Sequence, residues 1–188
     1  YGKRISETEI TEPPVFIVGH WRSGTTHLHE LMSCDDRFAW SSTYECFAPH
    51  HFLLSGVMLP KLLWFLIPRK RPMDNMALKF TSPQEDEFAP LLMTLKSVYL
   101  GVSFPEATAH YDRYMTFRDV DRVEVETWKA AFLRFCKKLS LHDKRALLIK
   151  SPPHTARIRT ILEMFPDARF VHIHRDPYAV FQSQRHFF

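Results

Sequence analysis

The sequence is poor in the residues that would make a disulfide scaffold, a cysteine-based metal site or a membrane span. It has three cysteines, Cys34, Cys46 and Cys136, widely spaced and without a C-x-x-C pair. An odd, scattered set builds no disulfide framework and points to a reducing interior, hence a cytoplasmic location. The most apolar stretch, Phe52–Ile67, is broken by Gly56, Pro60 and Lys61, whereas a spanning helix needs roughly 20 apolar residues. No signal peptide is visible at Tyr1. Excess charge is small: 25 Lys and Arg against 21 Asp and Glu give +4. That suits an anionic small molecule. With no aromatic-interleaved basic stripe, nothing points to nucleic acid. Glycine is also scarce, at 5 in 188 residues, so two in one short loop carry information. No repeat or low-complexity tract occurs. Length and a hydrophobic content of 45% predict one domain, residues 1–188, with a sizeable core.

The two informative glycines lie in Pro14-Val15-Phe16-Ile17-Val18-Gly19-His20-Trp21-Arg22-Ser23-Gly24-Thr25-Thr26. Val15 to Val18 is short and rich in β-branched residues, which predicts a strand buried on both faces. Gly19 and Gly24 have the spacing of a phosphate-binding P-loop, where glycines let backbone N–H groups approach an anion. Thr25-Thr26 opens a helix with apolar Leu28, Leu31 and Met32, and its N-terminus favours phosphate. A nucleotide-triphosphate loop would carry Lys at position 25. Here that residue is Thr, and the cation sits inside the loop at Arg22.

A second anion grip is predicted near the other end. Ala146–Lys150 and Phe170–His174 read as buried strands, and Thr155–Phe165 between them has helical spacing. A β-α-β unit implies parallel strands and a right-handed crossover. Arg175 lies just past a strand's carboxyl end, where open parallel sheets bind ligands. Ser183 follows by about two helical turns, on a face that can point back at the same anion. An Arg fork with a hydroxyl is good phosphate chemistry. The fold class is therefore α/β: a three-layer P-loop-like fold with a central parallel sheet flanked by helices. Val123–Leu141 reads as an amphipathic helix used for packing.

At these residues the chain resembles the bacterial-type branch of the sulfotransferases that use 3′-phosphoadenosine-5′-phosphosulfate (PAPS). Arg22-Ser23-Gly24-Thr25-Thr26 resembles the family's 5′-phosphosulfate loop, and Arg175 with Ser183 resembles its 3′-phosphate pair. Lys150-Ser151-Pro152-Pro153-His154, Arg71-Pro72-Met73-Asp74-Asn75 and Pro83-Gln84-Glu85-Asp86-Glu87-Phe88 carry further likeness. The resemblance implies transfer of a sulfuryl group from PAPS to a hydroxyl or amine, with PAPS as co-substrate and no metal. It implies Arg22, Ser23, Gly24, Thr25 and Thr26 on the phosphosulfate, Arg175 and Ser183 on the 3′-phosphate, and Lys150 assisting charge neutralisation. Glu85, Glu87 or His154 would take the acceptor's proton. The plainer reading of the acidic run is dipole complementation at a helix start.

Many cytosolic members have Lys where this chain has Arg22, which stays charged and serves as a stabiliser rather than a proton donor. His27 stands where those members often place Trp. Members usually continue past the Arg…Ser helix, so a chain stopping at Phe188 reads as incomplete at its C-terminal end. The helical, apolar region 45–95 is expected to form the acceptor side. Phe52–Ile67 reads either as core helices broken at Pro60 or as a lid or acceptor wall. With Arg69-Lys70-Arg71, residues 52–71 could meet a membrane surface. The acceptor is a small molecule, sugar or lipid-like compound. Two competing readings are a P-loop kinase or NTPase, disfavoured by Thr25, and a non-catalytic nucleotide-binding fragment.

Overall fold

The computed structural model describes residues 1–66 and 78–185. The Arg69-Lys70-Arg71 run and the Arg71–Asn75 motif lie outside the described residues. Four parallel strands, β1 (Val15–Val18), β2 (Phe38–Trp40), β3 (Ala146–Lys150) and β4 (Arg169–His172), form one sheet in the order β2-β3-β1-β4. Val15 pairs with Leu148 on one side and Arg169 on the other.

Alternation along β1 decides which layer each residue serves. Val15 and Ile17, with Leu148, pack against Leu28 and Met32 of helix Thr25–Ser33. Phe16 and Val18 face the opposite layer, which holds Trp128, Phe132 and Phe135 of the long helix Arg122–His142. That helix starts at Asp121, whose carboxylate accepts from the Val123 amide at 2.7 Å, an ordinary N-cap. Ile161 and Phe165, from the crossover helix Ile158–Met164 and its end, join the same layer. Both faces of β1 are therefore covered, and the expected three-layer architecture is what the chain forms.

Three expected elements differ in detail. The β3–β4 crossover begins as a 3₁₀ turn, Pro152–Ala156, before the α-helix. Pro152 and Pro153 occupy the turn's first positions, where an amide would have no acceptor within the helix. β4 ends at His172 and is only partly covered, because it pairs on one edge alone. The reading of Phe52–Ile67 as core helices is corrected. The described part is two short helices, Phe52–Ser55 and Leu59–Leu62, and a 3₁₀ turn, Trp64–Leu66. Only Phe52 is buried there, while Leu54, Val57, Met58, Leu62, Trp64 and Phe65 are 64–77% exposed. Among the described residues no helix is long and apolar enough to cross a membrane.

Phe132 is the hinge of the core. Its ring stacks on Trp128 at 5.1 Å and meets Phe16 and Phe165 at 6.4 and 6.2 Å. Phe132→Ala is expected to cost about 3–5 kcal/mol, measured as a lower denaturation midpoint at unchanged m-value.

Candidate functional site

β1 leaves the sheet centre with β3 on one side and β4 on the other, and the β1–β2 and β3–β4 crossovers pack on opposite faces. Such a switch point opens a cleft beyond the strands' carboxyl ends. The loop there is tightly made. A Cβ on Gly19 would stand 2.5 Å from the Ile173 carbonyl oxygen, so no larger residue fits without a shift. The Ser23 amide and hydroxyl both donate to the His20 carbonyl, at 3.2 and 2.6 Å. Arg22 and Gly24 take left-handed φ values of 66° and 104°. Gly24 is the N-cap of helix Thr25–Ser33, and the first-turn amides have no intrahelical acceptors. A ring of donors at a positive helix end results, the expected setting for an anion.

The two grips are one site. Arg22 Nε donates to Ser183 Oγ at 3.0 Å, and Arg175 Nη1 donates to the Arg22 carbonyl at 3.3 Å. Ile173 extends the β4 pairing by donating to the Val18 carbonyl at 3.0 Å. This pairing carries Arg175 to the loop. Asp176 accepts from the Ala179 amide at 2.9 Å, capping helix Pro177–Arg185 that presents Ser183. Arg175 is exposed, Arg22, Thr26 and Ser183 are half-buried, and Ser23 and Thr25 are buried. The Ser23 hydroxyl is thus spent on the loop itself.

The acidic run Glu85-Asp86-Glu87 is zipped onto the segment after β3. Lys150 Nζ lies 2.8 Å from Glu85 Oε1 and donates to Thr26 Oγ1 at 3.2 Å. The Tyr99 hydroxyl donates to the other oxygen, Glu85 Oε2. Asp86 accepts from Ser151 Oγ at 3.0 Å, and its Oδ2 lies 2.7 Å from His154 Nε2. Glu87 takes a two-pronged pair from Arg157, at 2.5 and 3.0 Å, and a bond from Ser97 at 2.7 Å. The three carboxylates therefore have separate fates. Glu85 is half-buried beside Lys150, which also reaches Thr26. Glu87 and His154 are fully buried and engaged by Arg157 and Asp86. The run stands at the start of helix Phe88–Thr94, with Glu87 at the N-cap position, although no side chain caps that helix.

Burial decides the protonation of several groups. Burial, then the charge of Lys150, lowers His29 to about 3. Burial and the neighbouring Glu85 push the Tyr99 phenol well above its usual value, so it stays a donor. Burial alone would raise Asp86, but the attraction of His154 and the bonds from His154 and Ser151 outweigh it and hold the carboxyl low. Two hollows of about 330 and 660 Å³ lie elsewhere, at the amino ends of the strands, lined by residues such as Glu12, Lys144 and Arg145. They hold none of the site residues. Among the described residues no group of three or more His, Cys, Asp or Glu is arranged to hold a metal.

Residues 13–188 match the sulfotransferase family. The chain belongs to that family. It is 45% identical over 186 residues to omega-hydroxy-beta-dihydromenaquinone-9 sulfotransferase Stf3 of Mycobacterium bovis and of Mycobacterium tuberculosis, covering 99% of this chain and 48% of each relative. This sulfotransferase chain thus spans about half the length of the curated relatives it matches. Its fold is shared with crystal structures of two sulfotransferases. STF9 from Mycobacterium avium has a TM-score of 0.66 at 24% identity, over 97% of this chain and 47% of that one. STF1 from Mycobacterium tuberculosis has 0.61 at 19%, over 93% and 48%.

Two partners of the acidic run were invisible in the sequence. Tyr99 belongs to no motif, and only the fold brings it to Glu85. Arg157 belongs to no motif either, and lies buried between the Phe117 and Trp128 rings, at 4.6 and 4.8 Å. The pairing of acidic and basic residues across a long sequence gap leaves no local signature.

His29 gives the site's framework a pH dependence. Between pH about 3 and 6.5 the unfolded chain binds one more proton than the native one. Stability therefore rises with pH across that window and is lost as pH falls through it. A melting-temperature series over this range should show a shallower acid decline in His29→Leu than in the unaltered protein.

Proposed function

We propose that the full-length protein transfers a sulfuryl group from PAPS to a hydroxyl or amine of a lipid-like acceptor. The observation that carries this reading is the fusion of two cationic anion grips, Arg22 with its loop and Arg175 with Ser183, beside the Lys150–Glu85 pair. Such a layout suits a donor with phosphate-type charge at two ends. It also suits proton removal beside one of them.

In this reading Arg22, the first-turn amides and the hydroxyls of Thr25 and Thr26 hold the 5′-phosphosulfate. Lys150, linked to Thr26, adds positive charge where the bridging oxygen becomes negative. Arg175 and Ser183 hold the 3′-phosphate and so distinguish the donor from ATP. The acceptor oxygen attacks sulfur in line. The S–O bond to the 5′-phosphate breaks, and 3′,5′-bisphosphoadenosine leaves. Glu85 takes the acceptor proton, being the one carboxylate of its run that borders the cleft. Positioning and fixed charges carry most of the acceleration.

The acceptor class rests on the exposed apolar residues between Leu54 and Phe65. The curated relatives are named for a hydroxylated menaquinone derivative, and an acceptor of that kind fits an apolar approach surface. The same surface, followed in sequence by Arg69-Lys70-Arg71, suits contact with an anionic membrane face.

Calorimetric titration with 3′,5′-bisphosphoadenosine, beside ATP–Mg²⁺, tests the donor. Binding of the bisphosphate alone, weakened at least tenfold in Arg175→Ala, is the expected result; a preference for ATP–Mg²⁺ would sink the proposal. In the full-length protein, Glu85→Gln should lower kcat by about 10²–10⁴ while bisphosphate affinity holds. Full turnover in that variant would remove Glu85 as the base.

A further inference from the structure

We propose that Tyr99 is a positioning residue that fixes the orientation of the Glu85 carboxylate for proton removal. The inference rests on the reading of Glu85 as the base. A carboxylate has about four lone-pair positions on two oxygens. Lys150 holds one oxygen at 2.8 Å, which alone leaves the plane of the group free to turn. The Tyr99 hydroxyl holds the other oxygen. With both oxygens anchored from opposite partners, the plane is set and the remaining lone pairs are left for an acceptor.

The surroundings of Glu85 support this assignment. Lys150 comes from β3, Thr26 from the first turn after the phosphate loop, and Tyr99 from the turn before helix Leu100–Ser103. On its own segment, Asp86 is tied to His154 and Glu87 to Arg157, so neither competes for the phenol. Tyr99 is kept protonated by desolvation and by Glu85. It therefore donates throughout the working pH range. Its ring is held by Phe88 at 5.4 Å and lies 6.4 Å from Trp21. Trp21 immediately precedes Arg22, so Tyr99 touches both Glu85 and the glycine loop. An ordinary packing tyrosine would need only the rings. The hydroxyl directed at a cleft carboxylate is the part that packing does not require.

The test is Tyr99→Phe, which keeps the ring and removes only the hydroxyl. Two readouts apply, with melting temperature as a check on folding. The first is the carbon-13 NMR titration of the Glu85 carboxyl, assigned by its loss in Glu85→Gln. Losing a donor to the charged form should move its midpoint up by about one pH unit. The second is turnover of PAPS with farnesol as a probe hydroxyl by full-length protein. Here kcat should fall about tenfold, with KM for PAPS unchanged and the acid limb of the profile moved up. An unmoved NMR midpoint would overturn the inference, whatever the turnover. A moved midpoint with unaltered kcat would overturn the catalytic part. If Glu85→Gln itself keeps turnover, the base reading fails separately.

Discussion

The structure depends on one arrangement of charge: three consecutive carboxylates, Glu85, Asp86 and Glu87, matched by Lys150, His154 and Arg157 from the strand end and turn after β3. Burying charge is costly, and a buried ion pair contributes little net stability over apolar packing. What it gives is location. Leaving any one partner alone in the interior is strongly unfavourable, so the segment before helix Phe88–Thr94 has one allowed place. The Ser151 hydroxyl donates to Asp86 and accepts from the Glu87 amide, locking the register. The least buried carboxylate, Glu85, is thereby brought beside Lys150 and Thr26 without belonging to any strand or to the glycine loop.

The donor side is built on the sheet. β1 is covered on both faces and paired on both edges, so the loop that follows it starts from a rigid base. The glycine approach at Gly19, the left-handed turn at Arg22 and Gly24, and the contact of Arg22 with Ser183 then join two distant stretches of chain. Catalysis by positioning requires such rigidity, since small displacements of charged donors lose most of their effect. The segment between Phe52 and Phe65 is the opposite case. Its short helices expose large apolar side chains, which suits a surface that meets something apolar.

The strands, the loop and the long helix were legible because each follows a local rule. β1 and β3 are short β-branched or aliphatic runs, the loop has paired glycines around a cation, and Arg122–His142 keeps helical spacing over its length. The misreadings occurred where a local rule had a rival. Phe52–Ile67 is apolar enough for a core, but Gly56 and Pro60 break it into pieces too short to present one buried face. The burial of Glu87 and His154 was not legible either, because their partners, Arg157 and Asp86, lie some 70 residues away in sequence for each pair. No spacing rule reports that.

The sequence by itself determined the fold class and the family, because these rest on periodicity, glycine geometry and short motifs that act within a few residues. Tertiary structure alone decided that Asp86 and Glu87 are buried while Glu85 is only partly so, that Arg22 and Ser183 meet, and that Tyr99 holds Glu85. Those outcomes depend on burial and on charge pairing between distant segments. The cost of an unpaired buried charge is settled only when the whole chain has closed around it.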